Sequence, residues 1–277
     1  MPNARLHDGS IIEVNVRGAG PAILTPVSTA LIEGEQAETM RAWGADPHLG
    51  HNLATGLAEA GFRVITADYE GHRLNEQPAP LSLTVDAVAA DLLAIADAAE
   101  AERFAYYGYS WLALSGLQLA LRTDRLTALA MGGYPPLDGP YDAMLAVTNS
   151  AHRLALDPPP PPTGEAVAGD WDSVAFTQTP DQTRQFVTLY ESLRDFDDSQ
   201  VRLELPRLAF AGEKDNIQYG PDWDNAYVTL AEPLIRNQDA LRSQGWQVHI
   251  VPGADHMVAM QAAAVLPLLV PFLRSSR

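Results

Sequence analysis

Short apolar runs alternate along much of this chain with longer segments whose apolar positions recur at helical spacing, and that alternation sets the expected elements. Residues 4–7 and 11–16 read as strands on either side of Asp8-Gly9, a strong hairpin turn signal. A second turn, Gly18-Ala19-Gly20-Pro21, leads into Ala22-Ile23-Leu24-Thr25, a buried strand that runs out into the loop Pro26-Val27-Ser28-Thr29. The spacing predicts helices over 35–43 and 52–60, with an irregular loop at 44–50 between them. Residues 62–66 form the next buried strand, closed by Asp68-Tyr69-Glu70-Gly71-His72. Beyond a proline-bearing loop, 83–98 returns to helical spacing, with Thr84 or Asp86 available to cap it. Strands at 103–107 and 126–131 bracket a helix at 113–122, and the second strand ends at Gly132-Gly133-Tyr134. Strands that alternate with helices imply an α/β fold with a mostly parallel sheet covered on both faces.

The rhythm stops between Tyr134 and Leu205. This segment holds five consecutive prolines, Pro158 to Pro162, which favour polyproline geometry and propagate neither helix nor sheet. Helical patterns at 143–156 and 181–196 flank them. The segment reads as a helical lid, 135–204, lying over the sheet's carboxyl edge and inserted into a core made of 1–134 and 205–277; the bland reading is an elaboration that never touches a site. The alternation resumes with a strand at 207–211 that ends in Gly212-Glu213-Lys214-Asp215-Asn216. An amphipathic helix over 226–243, a last strand at 247–251, the loop Pro252-Gly253-Ala254-Asp255-His256 and a closing helix toward Leu273 complete the chain, which has no internal repeat.

Composition narrows the classes. At 277 residues and 47% hydrophobic content the chain can bury a large core, most simply as one domain with an insertion. No apolar run is as long as a membrane span and the N-terminus lacks a signal-peptide pattern, so the expectation is a soluble, cytoplasmic protein with no membrane partner. The absence of cysteine excludes disulfides, thiolate metal sites and cysteine nucleophiles. A formal charge of −17 repels phosphate backbones and anionic surfaces, which argues against nucleic acid as a partner. The same charge serves solubility, with steering of cationic substrates as the rarer use.

Candidate chemistry sits where the strands end. Gly108-Tyr109-Ser110-Trp111-Leu112 joins a strand to a helix with a serine at its tip, although serine there also serves as an ordinary helix cap. Asp215 and His256 each follow another predicted strand, so all three side chains project from one edge of the sheet. Acyl transfer needs these types: a neutral imidazole takes the serine proton, and a carboxylate holds the imidazole's tautomer and stabilises its charged form. Two rivals stand beside them, with Glu213 as the acid in place of a turn-forming Asp215, and His256 as a helix-terminal residue behind an Asp255 cap. Asp46-Pro47-His48-Leu49-Gly50-His51 has metal-ligand types but no element to fix their geometry, so it reads as a surface loop or, through His51, a pocket wall, with no metal expected. Tyr109, Trp111 and Tyr134 are either core or the lining of a pocket at this edge.

From Gly9 to its end, the insertion matching only weakly, the chain resembles the α/β-hydrolase fold family. Gly108-Tyr109-Ser110-Trp111 looks like the family's nucleophile elbow, Asp68 with Gly71-His72 like the loop after its fourth strand, and Gly212-x-x-Asp215 and Gly253-x-x-His256 like its acid and histidine loops. The resemblance implies a mostly parallel eight-stranded sheet, with Ser110 as nucleophile, His256 as base and then acid, and Asp215 as orienting carboxylate. It also implies an oxyanion hole from the backbone N–H of Trp111 together with that of Ser28 or Val27. No cofactor is implied; the partner is a small-molecule acyl substrate, cleaved at an ester, lactone or related bond. Relatives that open epoxides carry aspartate at the elbow, which the serine argues against. The sequence departs twice from the family pattern: Leu112 stands where a second elbow glycine is usual, and Pro26-Val27 where His-Gly is usual. Members that have become ligand-binding proteins or non-hydrolytic cyclases are the alternative these departures suit, and a proline-iminopeptidase-like aminopeptidase, suggested by Trp111 after the serine, is a minor one.

Overall fold

The computed structural model describes residues 1–75, 81–162, 164, 167, 168 and 170–276. The expected proline-bearing loop after His72 falls mostly outside the described residues. The strands are β1 (Asn3–Arg5), β2 (Ile11–Glu13), β3 (Asn15–Arg17), β4 (Ala22–Thr25), β5 (Arg63–Thr66), β6 (Phe104–Tyr109), β7 (Leu126–Gly132), β8 (Arg207–Gly212), β9 (Asn216–Gln218), β10 (Tyr227–Thr229) and β11 (Trp246–Val251). The α-helices are α1 (Gly34–Ala42), α2 (Leu49–Glu59), α3 (Tyr69–Asn75), α4 (Val85–Ala98), α5 (Trp111–Ala120), α6 (Tyr141–Leu156), α7 (Pro180–Glu191), α8 (Ala231–Arg236), α9 (Gln238–Ser243) and α10 (Ala262–Ser275).

Seven strands make the central sheet in the order β11-β8-β7-β6-β4-β5-β3, parallel except for β3, which runs antiparallel to β5. Successive residues of its strands feed opposite cores, as the two-residue period of a pleat requires. Ile23, Val64, Tyr107, Ala130 and Phe210 pack with α2 and α10 on one face. Leu24, Ile65, Tyr106, Met131 and Ala211 pack with α4 and α5 on the other. The continuous apolar runs of the sequence are thus strands buried on both sides.

The expected eight strands are seven, because the run 11–16 breaks in the middle. Val14 is fully buried and its N–H donates to Pro2 O, so β2 pairs with β1 while β3 turns away to pair with β5. The resulting β1–β2 hairpin is a separate two-stranded sheet. It is anchored by a buried polar cluster: Arg73 bonds Asp8 at 2.7 Å and approaches Asp91 at 3.4 Å, while Asp91 also accepts from Tyr69 Oη at 2.6 Å and pairs with His7 Nδ1 at 2.8 Å. Two further expectations change. The helix over 226–243 is β10 followed by α8 and α9, since the left-handed Asp224 and Asn225 turn the chain back to pair β10 with β9. The segment 68–72 is no plain loop, because α3 begins at Tyr69. Of the two proposed caps for α4, Thr84 makes the bond, accepting from Ala87 N at 3.2 Å.

Between β7 and β8 the chain places α6 and α7 against each other, and a capping box at Thr179 and Gln182 starts α7. Among the described residues, no helix is long and apolar enough to cross a membrane.

Candidate active site

Ser110 occupies the turn between β6 and α5 with φ 52° and ψ −132°, a conformation that costs a residue with a side chain about 1–3 kcal/mol and must be held by its surroundings. Its N–H donates to Gly132 O at 2.8 Å on the neighbouring strand. A Cβ on Gly108 would strike the Leu112 carbonyl, and one on Gly116 would strike the Tyr106 ring. These two glycines therefore set the close approach of β6 and α5. Leu112 stands where the elbow pattern expects a glycine, yet its side chain is fully buried in the core and its carbonyl accepts from Tyr106 Oη at 2.8 Å. The crowding falls on its backbone, so this position tolerates a large side chain.

Three loops converge at the carboxyl edge. His256 Nε2 lies 3.2 Å from Ser110 Oγ, and His256 Nδ1 lies 2.8 Å from Asp215 Oδ1. Asp215 is fully buried, its peptide fixed by Asp215 N–H to Gly212 O at 3.1 Å and by Ala231 N–H to its own carbonyl at 2.6 Å. The rival acid Glu213 faces elsewhere, accepting from Gly253 N–H at 2.8 Å. Asp255 does cap the turn that follows, accepting from Met257 N–H at 3.0 Å, so the capping reading of this loop and the relay hold together. Burial pulls the His256 pKa down, but the charge and hydrogen bond of Asp215, joined by the charge of Asp255, outweigh it and leave the ring above its usual value of 6.5. Gly133, with φ +65°, faces the pair: a Cβ there would sit 3.1 Å from His256 Cε1 and 3.4 Å from Asp215 Oδ2.

A cavity of about 210 Å³ opens over this relay, lined by Ser110, His256, Tyr109, Tyr134, Met144 and Tyr190 among others. Met144 and Tyr190 come from α6 and α7, so both helices contribute to the cavity wall. Tyr109 and Tyr134 line it, and both are buried. His51, on α2, is not among the residues lining the cavities at Ser110. In the loop before it, Asp46 accepts from His48 N–H and Asn52 Nδ2, and His48 Nε2 meets Ile32 O at 3.0 Å. Of the expected oxyanion donors, Trp111 is the first residue of α5, where an N–H has no acceptor within the helix. The Val27 N–H is committed to Thr25 O at 2.9 Å, and Ser28 lines a neighbouring cavity beside Val27 and Glu70.

Glu70 was not anticipated. Because α3 starts one residue earlier, its side chain reaches the cavity wall, where Trp111 Nε1 donates to Oε1 at 2.6 Å and Tyr109 Oη to Oε2 at 3.3 Å. Burial raises its pKa, the two hydrogen bonds oppose this, and the Asp68 charge adds to the rise. A carboxylate two residues beyond Asp68, at a strand's carboxyl end, was the available signal.

A second relay with the same bond pattern shows that distances alone do not make a site. His7 Nδ1 meets Asp91 at 2.8 Å and His7 Nε2 meets Ser82 Oγ at 2.9 Å. Ser82, however, is not on a strained turn and lines neither cavity at Ser110, and Asp91 is engaged by three further donors, His7 N–H, Tyr69 Oη and Arg73.

Known structures share this arrangement of elements. An esterase of Thermogutta terrifontis superposes with a TM-score of 0.64 at 18% identity, over 99% of this chain and 98% of that one. An enol-lactonase of Burkholderia xenovorans LB400 gives 0.62 at 19%, over 99% and 100%. An epoxide hydrolase of Vigna radiata gives 0.62 at 16%, over 99% and 97%. No curated protein sequence matches the chain. The family model for the alpha/beta hydrolase fold matches residues 42–262, most of the sequence, and the chain belongs to that family.

Proposed function

We propose that the protein is a serine hydrolase that cleaves a carboxylic ester, lactone or related acyl bond of a small molecule through an acyl-enzyme on Ser110. The observation that carries this reading is the Asp215–His256–Ser110 relay closing on a strained serine inside a cavity. The esterase and the enol-lactonase among the similar structures are consistent with it, and the serine at the elbow sets this chain apart from the aspartate chemistry that the family resemblance implies for epoxide opening.

In the proposed cycle, substrate enters beside α6 and α7, which act as the lid. His256 Nε2 takes the Ser110 proton as Oγ attacks the carbonyl carbon, and Asp215 holds the Nδ1–H tautomer and stabilises the imidazolium. The backbone N–H groups of Trp111 and Ser28 receive the oxyanion, a contribution of about 3 kcal/mol per donor to the barrier. His256 then protonates the leaving group, and the same imidazole activates the water that releases the acid. The commitment of the Val27 N–H leaves the loop's share of the oxyanion hole to Ser28 alone, and a loop that fails to present that N–H is what the alternative of a non-hydrolytic ligand-binding or cyclase role would need.

Intact mass after treatment with a fluorophosphonate separates the two. Stoichiometric labelling of the wild type, lost in Ser110→Ala and His256→Ala, is the expected result. A folded wild type that takes no label, and hydrolyses no ester or lactone in a panel of small substrates, would overturn the hydrolase.

A further inference from the structure

Glu70 is the unspent group of this cavity. It lines both cavities at Ser110, the first with Tyr134 and the adjoining one, of about 220 Å³, with Trp111 and Phe186. It also lines a third beside Val27 and Ser28. Each of its oxygens takes one neutral donor, the indole of Trp111 and the hydroxyl of Tyr109, an arrangement that suits the ionised carboxylate better than the acid, whose own O–H would need an acceptor. Among the described residues no Lys, Arg or His nitrogen pairs with it, and the charge that influences it is another carboxylate, Asp68. A partly buried charge without a counter-charge is costly, and four tyrosines, Tyr109, Tyr134, Tyr190 and Tyr219, line the same cavity, a residue type whose ring quadrupole also attracts a cation. An anionic ligand would meet repulsion there, and a neutral apolar one would leave the carboxylate uncompensated.

We propose that the substrate carries an ammonium group and that Glu70 binds it beside Ser110, making the protein a hydrolase of small cationic esters, lactones or amides. This rests on the serine-hydrolase reading of the same cavity. The chain's net charge of −17 raises the local concentration of such substrates before they enter.

Two measurements test it and separate its failure from failure of the hydrolase reading. The first needs no turnover. The indole Nε1–H resonance of Trp111, identified by its loss in Trp111→Phe, is followed while propylammonium or propanol is added to the full protein. Propylammonium shifts it saturably, propanol does not, and Glu70→Gln removes the response. Equal responses to both ligands, no response to either, or an undiminished response in folded Glu70→Gln overturns the proposal. Should Glu70→Gln not fold, the wild-type comparison of the two ligands decides alone.

The second measurement compares kcat/KM for a short-chain ester bearing a primary ammonium with that for its methyl isostere. The wild type prefers the cation by about tenfold or more. Hydrolysis of both without preference removes the cation site and leaves the hydrolase standing. Ammonium binding at Trp111 with turnover of neither ester, and no fluorophosphonate label, removes the hydrolase and leaves the cation site.

Discussion

Replacing Gly133 with alanine should disable the site from behind while barely altering the fold. The residue follows β7, has φ +65° and is tied by its N–H to Phe210 O at 2.9 Å. A side chain in that left-handed region costs about 1–2 kcal/mol of stability. The added methyl would also stand 3.1 Å from His256 Cε1 and 3.3 Å from Nδ1, inside the ~3.5–4.0 Å of a comfortable carbon contact. The ring is tied at Nδ1 to Asp215 and at Nε2 to Ser110, and the methyl would also press on Asp215 Oδ2 at 3.4 Å, so relief means moving the imidazole by a few tenths of an ångström. Misplacement of about 1 Å costs on the order of 100-fold in rate, so the second-order rate of fluorophosphonate labelling should fall on the order of tenfold. Gly61→Ala is the control: Gly61 has φ +90°, nothing lies within 4 Å of its would-be Cβ, and it sits at the opposite end of the sheet before β5. In urea unfolding both variants lose comparable stability, but only Gly133→Ala loses labelling rate. If Gly133→Ala labels at the Gly61→Ala rate, the steric link to His256 is wrong.

The His256 pKa lies above 6.5, so labelling of the wild type rises with pH through a midpoint above that value as the base becomes neutral. Asp215→Asn removes the main raising influence and leaves burial, so its pH–rate midpoint falls below that of the wild type and its plateau drops by on the order of 10⁴. The sign for stability is opposite: a raised histidine pKa stabilises the fold below its unfolded value of about 6.5 and loses that contribution as pH rises through the folded value, which unfolding at several pH values in wild type and His256→Ala compares. Leu112→Gly, which restores the usual elbow pattern, should destabilise the protein by about 3–5 kcal/mol, since it empties a fully buried site and puts glycine in a helix; a stability gain in urea unfolding would refute the account of the elbow. Arg73→Met should cost about 3–5 kcal/mol by leaving buried Asp8 and Asp91 without their cation, read as a lowered urea midpoint; an unchanged midpoint would show that the hairpin cluster does not depend on it.

The sequence by itself determined the elements that period and strand-end chemistry encode. Runs such as 22–25 and 103–107 announce strands, because short apolar runs bounded by turn signals and alternating with helical segments suit a parallel sheet covered on both faces. The placement of Ser110, Asp215 and His256 at strand ends follows from the same alternation, since strands running parallel release their loops at one edge. What the tertiary structure decided is what depends on partners distant in sequence. The break at Val14, which makes the sheet seven strands, arises because its two flanks pair with β1 and with β5. The tolerance of Leu112 depends on which atoms of α5 face Gly108, and the loss of Val27 as a donor on a bond to Thr25. Glu70 shows the difference most directly. Its position after a strand puts it near the carboxyl edge, but its place in the cavity follows from where α3 starts and from the donors Trp111 and Tyr109, 41 and 39 residues away, which hold its carboxylate there. Local pattern specifies an element, but only packing brings together the groups that set a carboxylate's charge and reach.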